Sequence, residues 1–453
     1  MNEEEKPAIE CSMSYIFINE SGEEASAAEC KGKINIEYLT VFPKFGNVLP
    51  FHLRDINQIE TENYRITLHL ASSEKLILFN LGYYFEDFLR VLTDLRNEII
   101  IKDLLMNESI RKSDVETDFV YYDETKNLRQ KGIGKVRLYE TGLVVIPQRG
   151  EVLRVPYSNI VNVSEESRNV RIITELGEQL LFQDMGLEFD SFLKEFSEIY
   201  NELQLKAVSS IKTLFQEIDS ASLRRIASFM REGKAARRTD IEAINPRAWN
   251  ALEKKIIATE LNETYTFLKE LARQEKICIG FKRGLMGNLT GEYIWFLVPI
   301  YKIGEKDYGN AVAMEAIEIT KEAAEEATEE NRKEGSGKAT YFFRIVSRKD
   351  YLNYRSLEEL DREVDQFIRK INQCMLDINF RREPIYLPDE RLDEPNYFKY
   401  KIAVQRIPSL KLLRNLYIGR VIHTSQEQWK NDVMNLLQFN TIAQDNNTRW
   451  KRE

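Results

Sequence analysis

The feature that most constrains this chain is an internal duplication at an offset of 104 residues. Residues 39–98 align with residues 143–202 without a gap, and 16 of these 60 positions are identical. Unrelated segments of this composition match at about four positions. Turn glycines recur in register (Gly46/Gly150 and Gly82/Gly186) along with the apolar residues. The two segments are therefore predicted to share one fold.

The second copy changes its hydrophobic period along its length. LVVIP (143–147), a segment through Val170, Ile172 and Thr174, and EQLLFQD (178–184) read as strands separated by glycine-containing turns, and KVRLYE before them alternates as a strand does. After Gly186 the period becomes 3.6, and apolar residues line one face of a helix that runs to Leu203. The first copy ends in the same way, so each unit is predicted to be a set of antiparallel strands closed by one helix.

This order, with segments such as GLVVIPQRGEVLRVPYSNIVNV and ITELGEQLLFQDMGLEFDSFLKEF, resembles the pleckstrin-homology-like (PH-like) superfold, particularly its GRAM-like and bacterial variants. The resemblance covers residues 31–206 and implies a barrel of about seven strands plugged by a C-terminal helix. Phe192 and Phe196 occupy the helix face where the family carries a Trp. Lys135 and Arg137 have no third base nearby, so the family's basic phosphoinositide cluster is absent.

The chain has 453 residues, of which 43% are hydrophobic, and this length favours two to four domains. We predict a multidomain α+β protein with two tandem PH-like antiparallel β-barrels, each closed by a C-terminal helix, a helical connector and a C-terminal α+β domain. The predicted boundaries are an acidic N-terminal segment at 1–30, repeat 1 at 31–108, a linker at 109–131, repeat 2 at 132–206, the connector at 207–275, and the C-terminal domain at 276–453 with a charged insert at 321–338.

The C-terminal half resembles no family that we recognise. Residues 276–282, 293–303, 310–320 and 339–347 are predicted strands, and FKYKIAVQRI (398–407) also alternates as a strand does. Apolar residues from Leu357 to Ile378 predict a strong helix capped by Ser356, with Glu359 three residues on. Ser222 is a predicted cap in the connector, and residues 426–439 are a predicted final amphipathic helix.

Several classes of function find no support in the sequence. The net charge of −9 argues against a surface that coats nucleic acid or anionic lipid as a whole. The four cysteines share no short spacing, and the three histidines (His52, His69 and His423) have no nearby Cys or partner His. We therefore predict no metal site, no cofactor and no catalytic residue. The N-terminus lacks a signal-peptide pattern, and a cytoplasmic location is expected.

Two groups of basic residues are candidate binding residues. Lys282 and Arg283 adjoin the glycines of GFKRGLMGNLTG (280–291), whose backbone amides could approach a phosphate, although a simple strand connection is the alternative. Residues 395–426 contain six bases, no acid and interleaved aromatic residues. These six bases are Lys399, Lys401, Arg406, Lys411, Arg414 and Arg420. They either bind a polyanion, pair with acidic segments of the same chain such as 1–30 or 315–334, or form a solvated face.

The leading hypothesis is a non-catalytic scaffold or adaptor that docks a protein partner through the tandem domains. Nucleic-acid or other polyanion binding through 395–426 is the first alternative, and an enzyme acting on a phosphorylated ligand at 280–291 is the second. Binding to an anionic membrane is not expected, because repeat 1 carries nine bases and ten acids and repeat 2 carries eight and twelve. The partner and the oligomeric state do not follow from the sequence.

Overall fold

The computed structural model describes residues 7–103, 108–148, 150–215, 217–283, 292–301, 309–318, 339–354, 356–394 and 397–442. The chain divides into two compact units, Met1–Phe196 and Ser197–Glu453. The first unit holds two seven-stranded antiparallel sheets, and the second holds a six-stranded antiparallel sheet with helices. The protein is therefore a multidomain α+β chain, as predicted.

The first sheet contains seven strands in the order β4-β3-β2-β1-β7-β6-β5. The helix α1 (Phe85–Asp103) follows the last strand after a short 3-10 turn. Leu39, Val41 and the alternating residues of the other strands point inward, where Phe88 and Leu92 of α1 complete the core. The strands are β1 (Ile9–Ile18), β2 (Glu24–Ile34), β3 (Tyr38–Pro43), β4 (Leu49–His52), β5 (Ile56–Glu62), β6 (Arg65–Leu70) and β7 (Lys75–Phe79).

The second sheet repeats this topology in the order β11-β10-β9-β8-β14-β13-β12 and is followed by α2 (Phe189–Lys212). Strands β3, β5, β6 and β7 and helix α1 begin 104 residues before their counterparts, so the duplication read from the sequence is a duplication of structure. The strands are β8 (Ile110–Tyr122), β9 (Leu128–Tyr139), β10 (Gly142–Pro147), β11 (Leu153–Pro156), β12 (Ile160–Glu166), β13 (Asn169–Thr174) and β14 (Gln179–Gln183).

Each sheet also includes residues that we predicted to lie outside it. Strand β1 and most of β2 fall in the predicted acidic segment 1–30, and β8 with the start of β9 falls in the predicted linker 109–131. Both predictions were wrong, because acidic residues in these strands take the solvent side while Cys11, Met13 and Tyr15 alternate into the core. The first strand of each sheet was not recognised in the sequence because polar residues fill the positions that face solvent.

The sheet of the second unit is an antiparallel meander in the order β15-β16-β17-β18-β19-β20. Its strands agree with the predicted ones at 276–282, 293–303, 310–320 and 339–347, whereas β15 and β20 were not foreseen. The strands are β15 (Ala236–Arg237), β16 (Cys278–Arg283), β17 (Glu292–Ile300), β18 (Ala311–Glu318), β19 (Ala339–Arg344) and β20 (Tyr417–Ile422). The predicted charged insert 321–338 lies outside the described residues.

Ten helices of the second unit follow α2 in the part of the chain that the structure describes. They are α3 (Ser220–Phe229), α4 (Arg238–Glu242), α5 (Pro246–Ile257), α6 (Asn262–Leu271), α7 (Arg348–Asn353), α8 (Leu357–Asp377), α9 (Glu383–Tyr386), α10 (Phe398–Arg406), α11 (Pro408–Leu416) and α12 (Gln426–Ile442). Helices α8 and α12 match the predicted helices at 357–378 and 426–439.

The two faces of this sheet pack against different helices. Ile279, Phe296 and Phe342 share one hydrophobic cluster with α3, α5, α6 and α12, to which Trp249 and Trp429 contribute. The residues that alternate with them point to the opposite face, where the Trp295 ring meets the Phe380 ring at 5.6 Å and the Tyr341 ring meets the Tyr386 ring at 5.9 Å. These last two contacts place the segment after α8 and helix α9 on the second face.

The predicted helical connector 207–275 is not a separate segment. Its helices supply Leu223, Trp249 and Leu252 to the hydrophobic cluster of the sheet. Strand β15, which lies in the same segment, joins the sheet by pairing with β16 (Ala236 opposite Ile279). The prediction of a separate connector was wrong because the apolar faces of these helices are too large to remain uncovered.

The predicted strand at FKYKIAVQRI is the helix α10. Tyr400, Ala403 and Ile407, the last just after the helix, are buried and spaced by three and four, as one helix face requires, and Ile402 is buried as well. Tyr400, Ile402 and Val404 recur at every second position, which is typical of a strand, but Ala403 between them is also apolar and belongs to the buried helix face. Pro408 then begins α11.

Candidate functional site

Strand β12 forms an open edge of the second sheet. In the part of the chain that the structure describes it pairs only with β13, and every residue after Ile160 is exposed. Val161 and Val163 are 56% and 38% exposed. An edge strand of this kind presents unpaired backbone N–H and C=O groups beside apolar side chains. It has the features to which an extended peptide adds as a further strand.

The end of this edge carries negative charge and is fixed by a tight turn. Glu165 and Glu166 are exposed at the end of β12, and Ser167 and Arg168 both have positive φ values of 50° and 62°. Two such residues form the two-residue turn that matches the twist of a hairpin. The edge therefore combines apolar side chains with carboxylates held at a defined position.

A second candidate surface is already occupied, at the joint between the two sheets of the first unit. Ile101 near the end of α1 packs on Tyr139, Val144 and Ile146 of the second sheet, with Val152 beside them. Val144 and Ile146 alternate with Leu143 and Val145, which face the core of their own sheet. Strand β10 is thus buried on both faces.

Arg137 forms the polar centre of this joint. Its guanidinium donates to Glu98 of α1 at 2.7 Å and to Asp114 of β8 at 2.8 Å. Burial alone would raise the pKa of the Asp114 carboxyl, but the hydrogen bond and charge of Arg137 outweigh it and hold that pKa below its usual value. Asn97 of α1 donates to the Pro147 carbonyl at 3.5 Å.

The structure does not gather the predicted binding residues of the second unit into one site, because several of them contact different nearby residues. Lys401 contacts Asp393 at 2.6 Å, and Arg414 donates to Asp389 and to the Pro384 carbonyl, both at 2.6 Å. These two bases pair with acids that precede the 395–426 stretch. These contacts are internal pairs, as one alternative supposed, but the acids are Asp393 and Asp389 and not those of 1–30 or 315–334.

Lys282 and Arg420 instead lie over aromatic rings. The Lys282 ammonium is 4.5 Å from the centre of the Phe380 ring, and the Arg420 guanidinium is 4.2 Å from that of Tyr386. Lys411 is exposed on α11, and Arg406 is half-buried at the end of α10. Arg283 lies opposite Glu292 in the sheet register, and Lys399 lies in the first turn of α10.

A cluster of tyrosines and arginines lies on the face of the six-stranded sheet that packs against α9, and the sequence did not predict it. Arg382 lies 5.6 Å from the ring centre of Tyr341, which in turn contacts the Tyr386 ring under Arg420. Burial and the neighbouring Tyr341 raise the pKa of Tyr386, against the opposing effect of Arg420. Only the interleaving of bases and aromatics in 395–426 hinted at it, since Tyr341 and Arg382 come from elsewhere in the chain.

The first glycine of the predicted phosphate loop has a packing role. A Cβ at Gly280 would lie 2.1 Å from Nε1 of Trp295 and 2.6 Å from the Gly233 carbonyl, which accepts the indole N–H at 2.7 Å. Residues 284–291 of that loop lie outside the described residues. At Gly280 itself the space that an anion would need is filled by the indole.

His423 belongs to a buried hydrogen-bond network. Its Nε2 lies 2.6 Å from Glu315, whose other oxygen accepts the Thr340 hydroxyl at 2.6 Å. The Trp429 indole donates to the Thr340 oxygen at 3.2 Å and stacks on the imidazole. Because the hydroxyl proton is given to the carboxylate, this network fastens α12 to the sheet and does not activate Thr340 as a nucleophile.

The remaining chemistry-bearing groups offer little reactivity. All four cysteines are free and buried, and burial raises the pKa of the Cys11 and Cys30 thiols to about 11 and of Cys278 to about 12. Among the described residues no group of three or more His, Cys, Asp or Glu is arranged to hold a metal ion. Within the same ranges, no helix is both long and apolar enough to cross a membrane.

Comparisons with known proteins give a distant structural likeness. No protein-family model matches the chain, and no curated protein matches it. A solved structure, that of the Spt16D Pob3N heterodimer, matches at 13% sequence identity and a TM-score of 0.16, over 37% of this chain and 85% of that one. At this level of similarity the likeness assigns neither a family nor a function to the chain.

Proposed function

We propose that this chain is a non-catalytic cytoplasmic scaffold or adaptor that docks a protein partner through its two tandem β-domains, which we interpret as PH-like domains of the GRAM-like type. The strand order 4-3-2-1-7-6-5 followed by a helix, present twice, supports this interpretation. A fold alone does not specify a function, so the proposal depends on one surface.

The observation that carries the proposal is the open edge of β12. Its residues 161–166 are exposed, and Val161 and Val163 add apolar area to the unpaired backbone. In the first sheet the equivalent strand β5 alternates between exposed and half-buried residues, and Arg96 donates to its Ile56 and Asn57 carbonyls at 3.1 and 2.5 Å. The two edges therefore differ, and the second is the more accessible.

The partner that fits this edge is an extended segment of another protein. Main-chain hydrogen bonds to β12 would supply affinity, and alternate apolar side chains would pack on Val161 and Val163. A basic residue near one end of the segment would meet Glu165 and Glu166, which are exposed there.

The alternatives have less support. Lys401 and Arg414 pair with acids of the same chain, which reduces the charge available to a polyanion. An enzyme that binds a phosphorylated ligand through Lys282 would need room at Gly280, where the Trp295 indole lies.

The proposal is tested by selecting displayed peptides on the full chain and measuring their affinity by fluorescence polarisation. The double variant Val161→Asp/Val163→Asp should weaken the selected peptides at least tenfold, or about 1.4 kcal/mol. The control Gln58→Asp, at an exposed site of β5, should leave affinity unchanged. Failure to select any extended peptide, or equal loss in both variants, would reject this docking edge.

A further inference from the structure

The joint inside the first unit is built from residues that the duplication copies. On the helix side, Asn97, Glu98 and Ile101 of α1 make the contacts, and we call them the helix patch. Their counterparts 104 residues later are Asn201, Glu202 and Leu205 of α2. The Asn and the Glu are identical, and the apolar position is retained.

The second helix patch differs in its surroundings. Ile101 is 3% exposed beneath the second sheet, whereas Leu205 is 70% exposed and Asn201 is also exposed. A large apolar side chain on the surface, next to a polar pair that is used at an internal joint, marks a surface suited to contact with another chain.

The receiving surface is copied as well. On the second sheet it consists of Arg137, Val144, Ile146, Pro147 and Val152, and we call this set the sheet patch. The counterparts on the first sheet are Lys33, Thr40, Phe42, Pro43 and Val48.

The sheet patch of the first sheet is partly exposed to solvent, whereas that of the second sheet is covered by α1. Val144 is 1% exposed, but its counterpart Thr40 and the neighbouring Phe42 are only half-buried, and Val48 is 50% exposed. Lys33 contacts Glu10 at 3.0 Å, as Arg137 contacts Asp114. The basic residue of the first patch is therefore held in the same ion-pair arrangement as the basic residue that receives Glu98.

We propose that the helix patch of α2 in one copy of this chain docks on the sheet patch of the first sheet in a second copy. Glu202 would meet Lys33, Asn201 would donate to the Pro43 carbonyl, and Leu205 would pack on Phe42 and Val48. The charges are complementary, and the contact continues the internal arrangement between the two sheets.

This contact joins two different surfaces and is head-to-tail, so it builds chains or rings of copies. Thr40 and Asn35 replace the Val144 and Tyr139 of the internal joint, which makes the first sheet patch more polar. The association is accordingly reversible and concentration-dependent. The association uses surfaces distinct from the β12 edge, so its test is independent of the test of the proposed function.

The test is complementation between two variants of the full chain, followed by sedimentation velocity. Phe42→Asp removes the sheet patch and leaves the helix patch, whereas Leu205→Arg does the reverse. At about 50 μM each variant alone should sediment as a monomer, their mixture should form a dimer of one copy of each, and the unmodified chain should form larger species. The exposed site of Leu205 permits this substitution without disturbing the core.

A charge exchange provides the second measurement. Lys33→Glu and Glu202→Lys should each weaken association at least tenfold, and the double variant should recover to within about threefold of the unmodified chain. Leu187→Arg is the control for Leu205→Arg, because Leu187 is a leucine that is 98% exposed and lies outside both patches. A monomer at all concentrations up to about 100 μM, a mixture that does not dimerise, or a double variant no better than the singles would overturn the proposal.

Discussion

At Gly280 the backbone of β16 passes so close to the Trp295 indole that a methyl group on its Cα would overlap the ring. We predict that Gly280→Ala lowers the free energy of unfolding by about 3 kcal/mol, because it overpacks the site and separates the indole from the Gly233 carbonyl. Urea unfolding followed by circular dichroism measures this loss.

Trp295→Phe separates the two causes. This change removes the indole N–H that a Cβ at Gly280 would strike, so the double variant should lose less stability than the sum of the single variants. Strict additivity, or a loss below about 0.5 kcal/mol for Gly280→Ala, would contradict the packing role.

Individual residues could be predicted from the sequence where their chemistry is local. Ser356 was predicted to cap α8, and its hydroxyl accepts the Glu359 N–H at 3.2 Å. Ser222 was predicted as a cap but is not one, since the Asp219 carboxylate three residues earlier accepts the N–H groups of Ala221 and Ser222. Gly280 needed the fold, because its neighbours Gly233 and Trp295 are distant in sequence.

At the scale of elements, α1 should contribute to the stability of the second sheet as well as its own. Ile101→Ala should lower the free energy of unfolding of the first unit by about 2–4 kcal/mol, because it opens a cavity against Tyr139, Val144 and Ile146. Thermal and urea unfolding of dilute protein provide the measurement.

The duplication supplies a matched control for that experiment. Leu205→Ala, at the equivalent position of α2, should change stability by less than about 0.5 kcal/mol in dilute protein because Leu205 is exposed. Similar losses at both positions would show that the difference in burial does not govern their energetics.

The elements that repeat were the most predictable. Sixteen identities in register located the closing helices and several strands, because turn glycines and alternating apolar residues are local signals. The first strands β1 and β8 lay outside the aligned segment, and their polar outer faces made these segments look like linkers in the sequence. Helix α10 was mistaken for a strand because short apolar runs fit both periods.

At the scale of the whole molecule, we predict that single-stranded RNA does not bind measurably at about 0.15 M salt. The net charge is −9, and the Lys401 and Arg414 side chains contact Asp393 and Asp389. A gel shift across a range of salt concentrations provides the measurement.

The opposing result has a clear signature. A micromolar, salt-dependent shift that is lost in the triple variant Lys399→Gln/Lys401→Gln/Lys411→Gln would place a nucleic-acid site on this stretch. Arg414 is left unchanged in that variant, because it also donates to the Pro384 carbonyl and its loss would disturb the fold.

The candidate surfaces were only partly accessible from the sequence. The count of bases in 395–426 was visible, but their partners are Asp389 and Asp393 in the preceding segment and Tyr386 of α9, which the count did not identify. The β12 edge could not be found, because the outer strand of a sheet is set by topology and not by local pattern.

Because β10 is covered on one side by its own sheet and on the other by α1, the order of synthesis matters for this protein. A ribosome releases α1 before β10, so the helix is available when the apolar strand emerges. If the second repeat were synthesised before the first, Val144 and Ile146 would stay exposed to solvent until α1 had been made, and they could contact other nascent chains. The helix that covers β10, a strand whose six residues are all buried in the finished fold, is therefore synthesised before the strand itself.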